Sequence, residues 1–197
     1  MLDEILNEYG IFKEKQKICL KGNITLIKNG RRFEISMFPD GIEFYADELP
    51  QIECIEIHTR KFVTVENKTA YLRCCAPDSS YFYLGGYANR YQRDFLKKAY
   101  ENNRTMKYSH FGDIDAGGFF IHEHLCRMTD ISFQLEYMSK EQLEDERFRA
   151  CLQNLTINDR KRLKTLLKVE QYQDVVQYML NQNVKLEQEI VSYSFDI

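Results

Sequence analysis

Asp113 and Asp115 flank Ile114 in the run Gly112-Asp-Ile-Asp-Ala-Gly-Gly118, and Glu66 stands far upstream in Val65-Glu66-Asn67. In an extended segment, side chains at i and i+2 point the same way. Two carboxylates facing one spot repel each other, and a hard divalent cation relieves that repulsion. Mg²⁺ takes oxygen ligands, keeps several waters, and typically uses one or two carboxylates plus a substrate phosphate. A cation so held can polarise a phosphoryl oxygen, generate a hydroxide nucleophile and stabilise the leaving oxygen. Glu66 would serve as a further ligand or as a general acid or base. Gly112, Gly117 and Gly118 around the acidic pair, and Gly85-Gly86 elsewhere, let backbone approach a phosphate, and a helix start offers free N–H groups. A D-x-D alone is as readily a helix cap, with Asp115 as N-cap. The Glu-Asn pair at the end of an earlier strand shifts the balance toward a site.

Those residues need strands that end where the acids begin. FVTVEN (62–67), YFYLGGY (81–87), MKYSHFGDID (106–115) and ISFQLEYM (131–138) read as four strands. Helical patterns over 89–103 and 116–128 alternate with them, the first with Tyr91, Phe95, Leu96 and Tyr100 as its apolar stripe. Alternation of this kind predicts βαβ units and a mainly parallel sheet. In such sheets functional loops lie outside the carboxyl ends of the strands, where Glu66, Gly85-Gly86, Asp113 and Asp115 fall. The core at 61–139 is preceded, over 1–60, by an amphipathic helix (1–16, with Ile5, Tyr9, Ile11 and Phe12) and a small antiparallel β unit. That unit spans 18–58 and contains the hairpin signal Asn29-Gly30. Over 140–197 the pattern predicts three helical segments and an extended tail, KLEQEIVSYSFDI.

Other residues invite weaker readings. His110, three positions before Asp113, could contact a phosphate or be a half-buried strand histidine. Arg90, near the start of the helix after the double glycine, could reach a DNA phosphate. Lys161 and Arg162 lie in the strongest basic run, DRKRLKTLLK, which could track a DNA backbone or be a solvated helix face. His122 and Cys126 share a helical face, but zinc would need two more ligands and none stands at a known spacing.

The chain has 197 residues, a net charge of −3 and only three prolines and nine glycines, so it is expected to fold with little linker. The acidic balance counts against a protein that merely coats DNA. It does not exclude a nuclease, whose acidic site is offset by bound cations. None of the six cysteines forms a CxxC pair, and the simplest reading is reduced thiols. No apolar run approaches the roughly 20 residues that span a bilayer, and the N-terminal residues lack the basic and apolar regions of a signal peptide; the expectation is a cytoplasmic protein without membrane contact.

The order Val-Glu-Asn, a glycine-ended strand, then Gly-Asp-Ile-Asp-Ala-Gly-Gly resembles the Toprim domain, an α/β Rossmann-like fold shared by topoisomerases, bacterial primases and some nucleases. VENKTAY, YLGGYANRYQRDFL, HFGDIDAGGFFI and the late LEQE are similar to the C-terminal part of the JetD family, nuclease subunits of the Wadjet anti-plasmid system related to the topoisomerase VI A subunit. The resemblance covers roughly 18–197. It implies Mg²⁺- or Mn²⁺-dependent DNA cleavage, with plasmid DNA as substrate, an SMC-type loop-extruding complex as partner, and a homodimer as one assembly state. It also implies metal roles for Glu66, Asp113 and Asp115, with Glu187 and Glu189 of the E-Q-E run as additional ligands or acid/base groups. Members of that family carry large N-terminal modules, of which this chain shows at most the leading helix. It is therefore expected to correspond to a C-terminal piece or a minimal relative. No winged-helix region with a nucleophilic tyrosine is visible, so hydrolysis is expected rather than strand passage.

Two functions stay open on sequence grounds. One is a metal-dependent endonuclease; the other is a non-catalytic DNA- or partner-binding module of a larger complex. Receiver domains and haloacid-dehalogenase-type phosphatases place their acidic pair after the first strand, the reverse of the order here.

Overall fold

The structure, a computed structural model, describes residues 8–10 and 15–196; most of the helix expected over 1–16 lies outside them. Six strands form the central sheet, in the order β4 (Ile42–Tyr45), β1 (Lys17–Lys21), β7 (Ser79–Tyr83), β6 (Lys61–Val65), β8 (Lys107–Phe111) and β9 (Gln134–Leu135). Strands β7, β6, β8 and β9 run parallel, which is the expected four-stranded core. Tyr137, at φ 54°, takes the chain out of extended geometry, and only two residues of the expected 131–138 strand pair.

The antiparallel unit expected over 18–58 does not stand apart. Its strands β1 and β4 extend the central sheet antiparallel to β7, while β2 (Ile24–Lys28), β3 (Arg31–Glu34) and β5 (Ile52–Ile57) form a separate three-stranded sheet. The split occurs at Gly22, where φ is +112° and a β-carbon would lie 2.8 Å from the Cα of Ser80. Only glycine allows that turn at that approach. The Asn29-Gly30 hairpin forms as expected, with Lys28 opposite Arg31 and both turn residues at positive φ.

Helices cover both faces of the sheet. On one face Phe62, Phe82 and Tyr108 pack against α2 (Arg90–Asn102) through Phe95, Leu96 and Ala99, together with the small sheet. Asn89 and Gln92 close a capping box at the start of α2. On the other face Val63, Val65, Tyr81 and Phe111 meet α1 (Lys68–Arg73), Phe119 of α3 (Ala116–Thr129) and the C-terminal helices. Those are α4 (Lys140–Glu144), α5 (Ile157–Leu166), α6 (Glu170–Gln182) and α7 (Gln188–Ser192), with a two-stranded ribbon of β10 (Gln153–Asn154) and β11 (Val184–Lys185) between them. The tail is thus helical from Gln188, not extended. Its buried residues Gln188, Val191 and Ser192 have helical spacing, but two of the three are polar, which hides the stripe from a hydrophobic pattern. Among the described residues no helix is long and apolar enough to cross a membrane.

Candidate metal centre

Parallel pairing of β6 with β8 sets Thr64 opposite His110 and Val65 opposite Phe111. The ladder continues one bond further, from the N–H of Glu66 to the carbonyl of Phe111 at 3.0 Å. Glu66 therefore leaves β6 beside Gly112, and the D-x-D follows at once. The double-glycine loop is tied to the same point by a bond from the Gly85 N–H to the Glu66 carbonyl, at 3.1 Å.

A third segment arrives from the far end of the chain. Ile114 and Leu186 exchange backbone bonds of 2.9 and 3.2 Å, which lays the tail antiparallel across the D-x-D. Two residues on, the N–H of Gln188 donates to Asp113 Oδ1 at 2.7 Å. The Gln188 side chain has no exposed surface. Its Nε2 donates to the Phe111 carbonyl at 3.0 Å, and its Oε1 accepts from the Asn67 N–H at 2.8 Å. One glutamine thus joins the carboxyl ends of β6 and β8 to the start of α7. Asn67 caps α1 through its Oδ1 and turns its Nδ2 to Glu189 at 2.5 Å.

The result is a knot of carboxylates. Ligand oxygens of Asp113, Glu187 and Glu189 all lie within 4.8 Å of one another. Glu66 and Asp115 fall outside that mutual group but stand close enough to act on it. Burial, followed by the charges of Asp113, Asp115 and Glu187, pushes the Glu66 carboxyl up to about 7. Burial pushes Asp113 up to about 6, with Glu187, Asp115 and Glu189 adding to it and the Gln188 N–H opposing it. Such carboxylates resist ionising together unless a cation joins them. An all-oxygen donor set suits a hard divalent ion such as Mg²⁺ or Mn²⁺ rather than zinc. Glu66 Oε2 is buried and has no hydrogen-bond partner, so it retains a free lone pair. Asp115 is also the N-cap of α3, accepting from the Gly118 N–H at 2.8 Å, so the capping and the acidic-site readings of this residue hold together. Gly118 is forced by close approach, because a β-carbon there would lie 2.1 Å from the Asp113 carbonyl oxygen.

Other expected residues are placed differently. His110, expected as a phosphate contact, has no exposed surface, so it offers no ring atom to DNA. Arg90 is exposed beside Asp94, Lys161 is exposed on α5, and Arg162 stacks over Phe120 of α3 at 4.8 Å. None of the three pairs with the acidic cluster among the described residues. His122 is no zinc ligand, since its two ring nitrogens meet the Tyr172 hydroxyl at 2.5 Å and the Phe133 carbonyl at 2.7 Å. The joining role of Gln188 was not visible in sequence, because its partners lie 75 to 121 positions away.

Comparison with known proteins agrees with the residue pattern. The family described as Wadjet protein JetD, C-terminal, matches residues 21–196. The Wadjet protein JetD of Bacillus cereus (strain Q1) is 24% identical over 201 residues, covering 95% of this chain and 47% of that protein. The chain therefore spans about half the length of the curated relative it matches. With the family match running through β6, the D-x-D and the tail alike, the chain belongs to the JetD C-terminal family.

Proposed function

We propose that this chain carries the divalent-metal site of a Toprim-type DNA endonuclease, acting in plasmid restriction alongside other Wadjet subunits. The observation that supports this most is the convergence of Asp113, Glu187 and Glu189 from two distant segments onto one point, with Glu66 and Asp115 beside it. Asp113, Glu187 and Glu189 would hold Mg²⁺ or Mn²⁺, with Glu66 and Asp115 at its margin. The bound ion would supply Lewis-acid stabilisation of a phosphodiester. Glu66, half-buried and with its carboxyl raised toward neutral pH, is suited to take or give a proton near the reacting phosphate. Gln188 and Asn67 keep the acids from splaying when no cation is present. Exposed Arg90 and Lys161, with the half-buried Arg162, would contribute phosphate contacts at some distance from the acids.

The test is nicking of supercoiled plasmid in Mg²⁺ and in Mn²⁺, beside Asp113→Ala and Glu66→Gln. Metal-dependent nicking that both variants lose is the expected result. Metal-supported DNA binding without nicking by the wild type would instead make the chain a binding module of a larger complex.

A further inference from the structure

Among the described residues only three buried side-chain polar atoms lack a hydrogen-bond partner, and two of them are Glu66 Oε2 and His110 Nε2. These two belong together. Glu66, one residue past the end of β6, follows Thr64 by two positions and shares its side of the extended backbone, and His110 lies opposite Thr64 on β8. The residue after the β8 ladder on the Glu66 side is Gly112. A β-carbon on Gly112 would lie 2.7 Å from Glu66 Oε2 and 2.9 Å from His110 Nε2. Both orphaned atoms therefore border one small space, which exists because position 112 has no side chain.

We propose that His110 is a positioning residue for Glu66, its Nε2–H bridged to Glu66 Oε2 by one water in the space left by Gly112. The inference rests on the reading of Glu66 as part of a metal-dependent site. Proton placement follows from the other side of the ring. His110 Nδ1 lies 2.9 Å from the Thr64 hydroxyl, whose alternative acceptor, the Ser109 carbonyl, is farther at 3.3 Å. A hydroxyl has one proton to give, and giving it to Nδ1 rather than to the Ser109 carbonyl is the choice that lets both orphaned atoms pair. With Nδ1 accepting, a neutral imidazole carries its proton on Nε2, at the edge of the space that Glu66 Oε2, an acceptor without a donor, also borders. The arrangement parallels outer-shell bonds that orient ligands at metal sites. It also explains why a histidine without exposed surface is held in the strand that leads to the D-x-D, with its ring beside that of His122 at 5.8 Å between centroids. His122 cannot substitute, since both its nitrogens are occupied.

The first readout needs neither metal nor DNA. In ¹⁵N-histidine-labelled protein above pH 8 without metal, long-range ¹H–¹⁵N correlation is expected to show His110 with its proton on Nε2. Glu66→Ala should move the His110 Nε2 resonance and leave that of His122 in place. A proton on Nδ1, or an Nε2 signal indifferent to Glu66→Ala, overturns the proposal. The second readout is Mn²⁺ affinity by titration calorimetry. His110→Phe is expected to weaken it by about tenfold, the lower end for an outer-shell change. His110→Gln, whose amide nitrogen can take the Nε2 position, should recover most of that loss. Equal weakening in both variants would also overturn it. If His110→Phe does not fold, the Glu66→Ala spectrum decides alone. Failure of the wild type to bind Mn²⁺ would sink the metal-site reading but leave the spectral test of the hydrogen bond intact, so the two failures are distinguishable.

Discussion

Glu66 and Asp113 are carboxyl groups whose surroundings favour the protonated form, which fixes a sign. Their folded values, about 7 and about 6, lie above the ordinary 4.5 and 3.8. The folded state therefore holds protons that the unfolded state releases, and the metal-free protein should lose stability as pH rises from about 4 through about 7. Thermal unfolding without metal should show a lower midpoint at pH 8 than at pH 5, with a smaller difference in Glu66→Gln; a midpoint that climbs over this window would refute the assignment. Mn²⁺ affinity should move the other way and strengthen as pH passes 6 to 7, because the ion binds only ionised ligands. Backbone clearance gives a second residue-level contrast. Gly118→Ala would drive a methyl to 2.1 Å from the Asp113 carbonyl, a backbone atom, and is expected to cost roughly 1–3 kcal/mol and to weaken metal binding. Gly117→Ala, whose methyl would have the Asp115 side-chain carboxylate as its nearest neighbour at 3.0 Å, should be tolerated far better by the same denaturant titration.

The short helix α7 contributes through one side chain more than through its own length. Gln188→Leu keeps the volume but strands the Asn67 N–H and removes the donor to the Phe111 carbonyl, expected to cost roughly 1–3 kcal/mol. Mn²⁺ affinity should fall as well, since Glu187 and Glu189 flank the residue that anchors them; unchanged affinity in a folded Gln188→Leu protein would show that the tail acids stand outside the site. This element also marks where sequence reading stops. The parallel strands, the order of Glu66 before the D-x-D and the helix behind Asp115 could be read because each rests on local periodicity or on a residue type at a strand end. The E-Q-E run was recognisable as a motif, but its helix was hidden by the polar Gln188 and Ser192 on the buried face. Helix α1, with six residues, is too short to display a period. The transfer of β1 and β4 into the main sheet depends on Gly22 meeting Ser80, a contact that no local pattern encodes.

At the scale of the whole molecule, the acids tie together parts of the chain that fold on different local rules. Glu66 and Asp113 come from neighbouring strands of the central sheet, whereas Glu187 and Glu189 arrive after the C-terminal helices have packed on one face of it. Without a cation this junction combines an interlocking hydrogen-bond set with mutual repulsion of carboxylates. Bound metal would convert the repulsion into a cross-link between the sheet and the tail. A ligand at a hundred times its dissociation constant stabilises the folded state by about 2.7 kcal/mol. For a chain of this size that corresponds to a rise in melting midpoint of roughly 5–10 °C. Mn²⁺ at that excess should produce such a rise in the wild type, and Asp113→Ala should abolish most of it. Replacing both Glu187 and Glu189 by Ala should abolish it in part, since the sheet would still hold the ion while the tail would not. If that double variant kept the full rise, the metal would be held by the sheet alone, and the tail would serve packing through Leu186 and Val191 rather than the site.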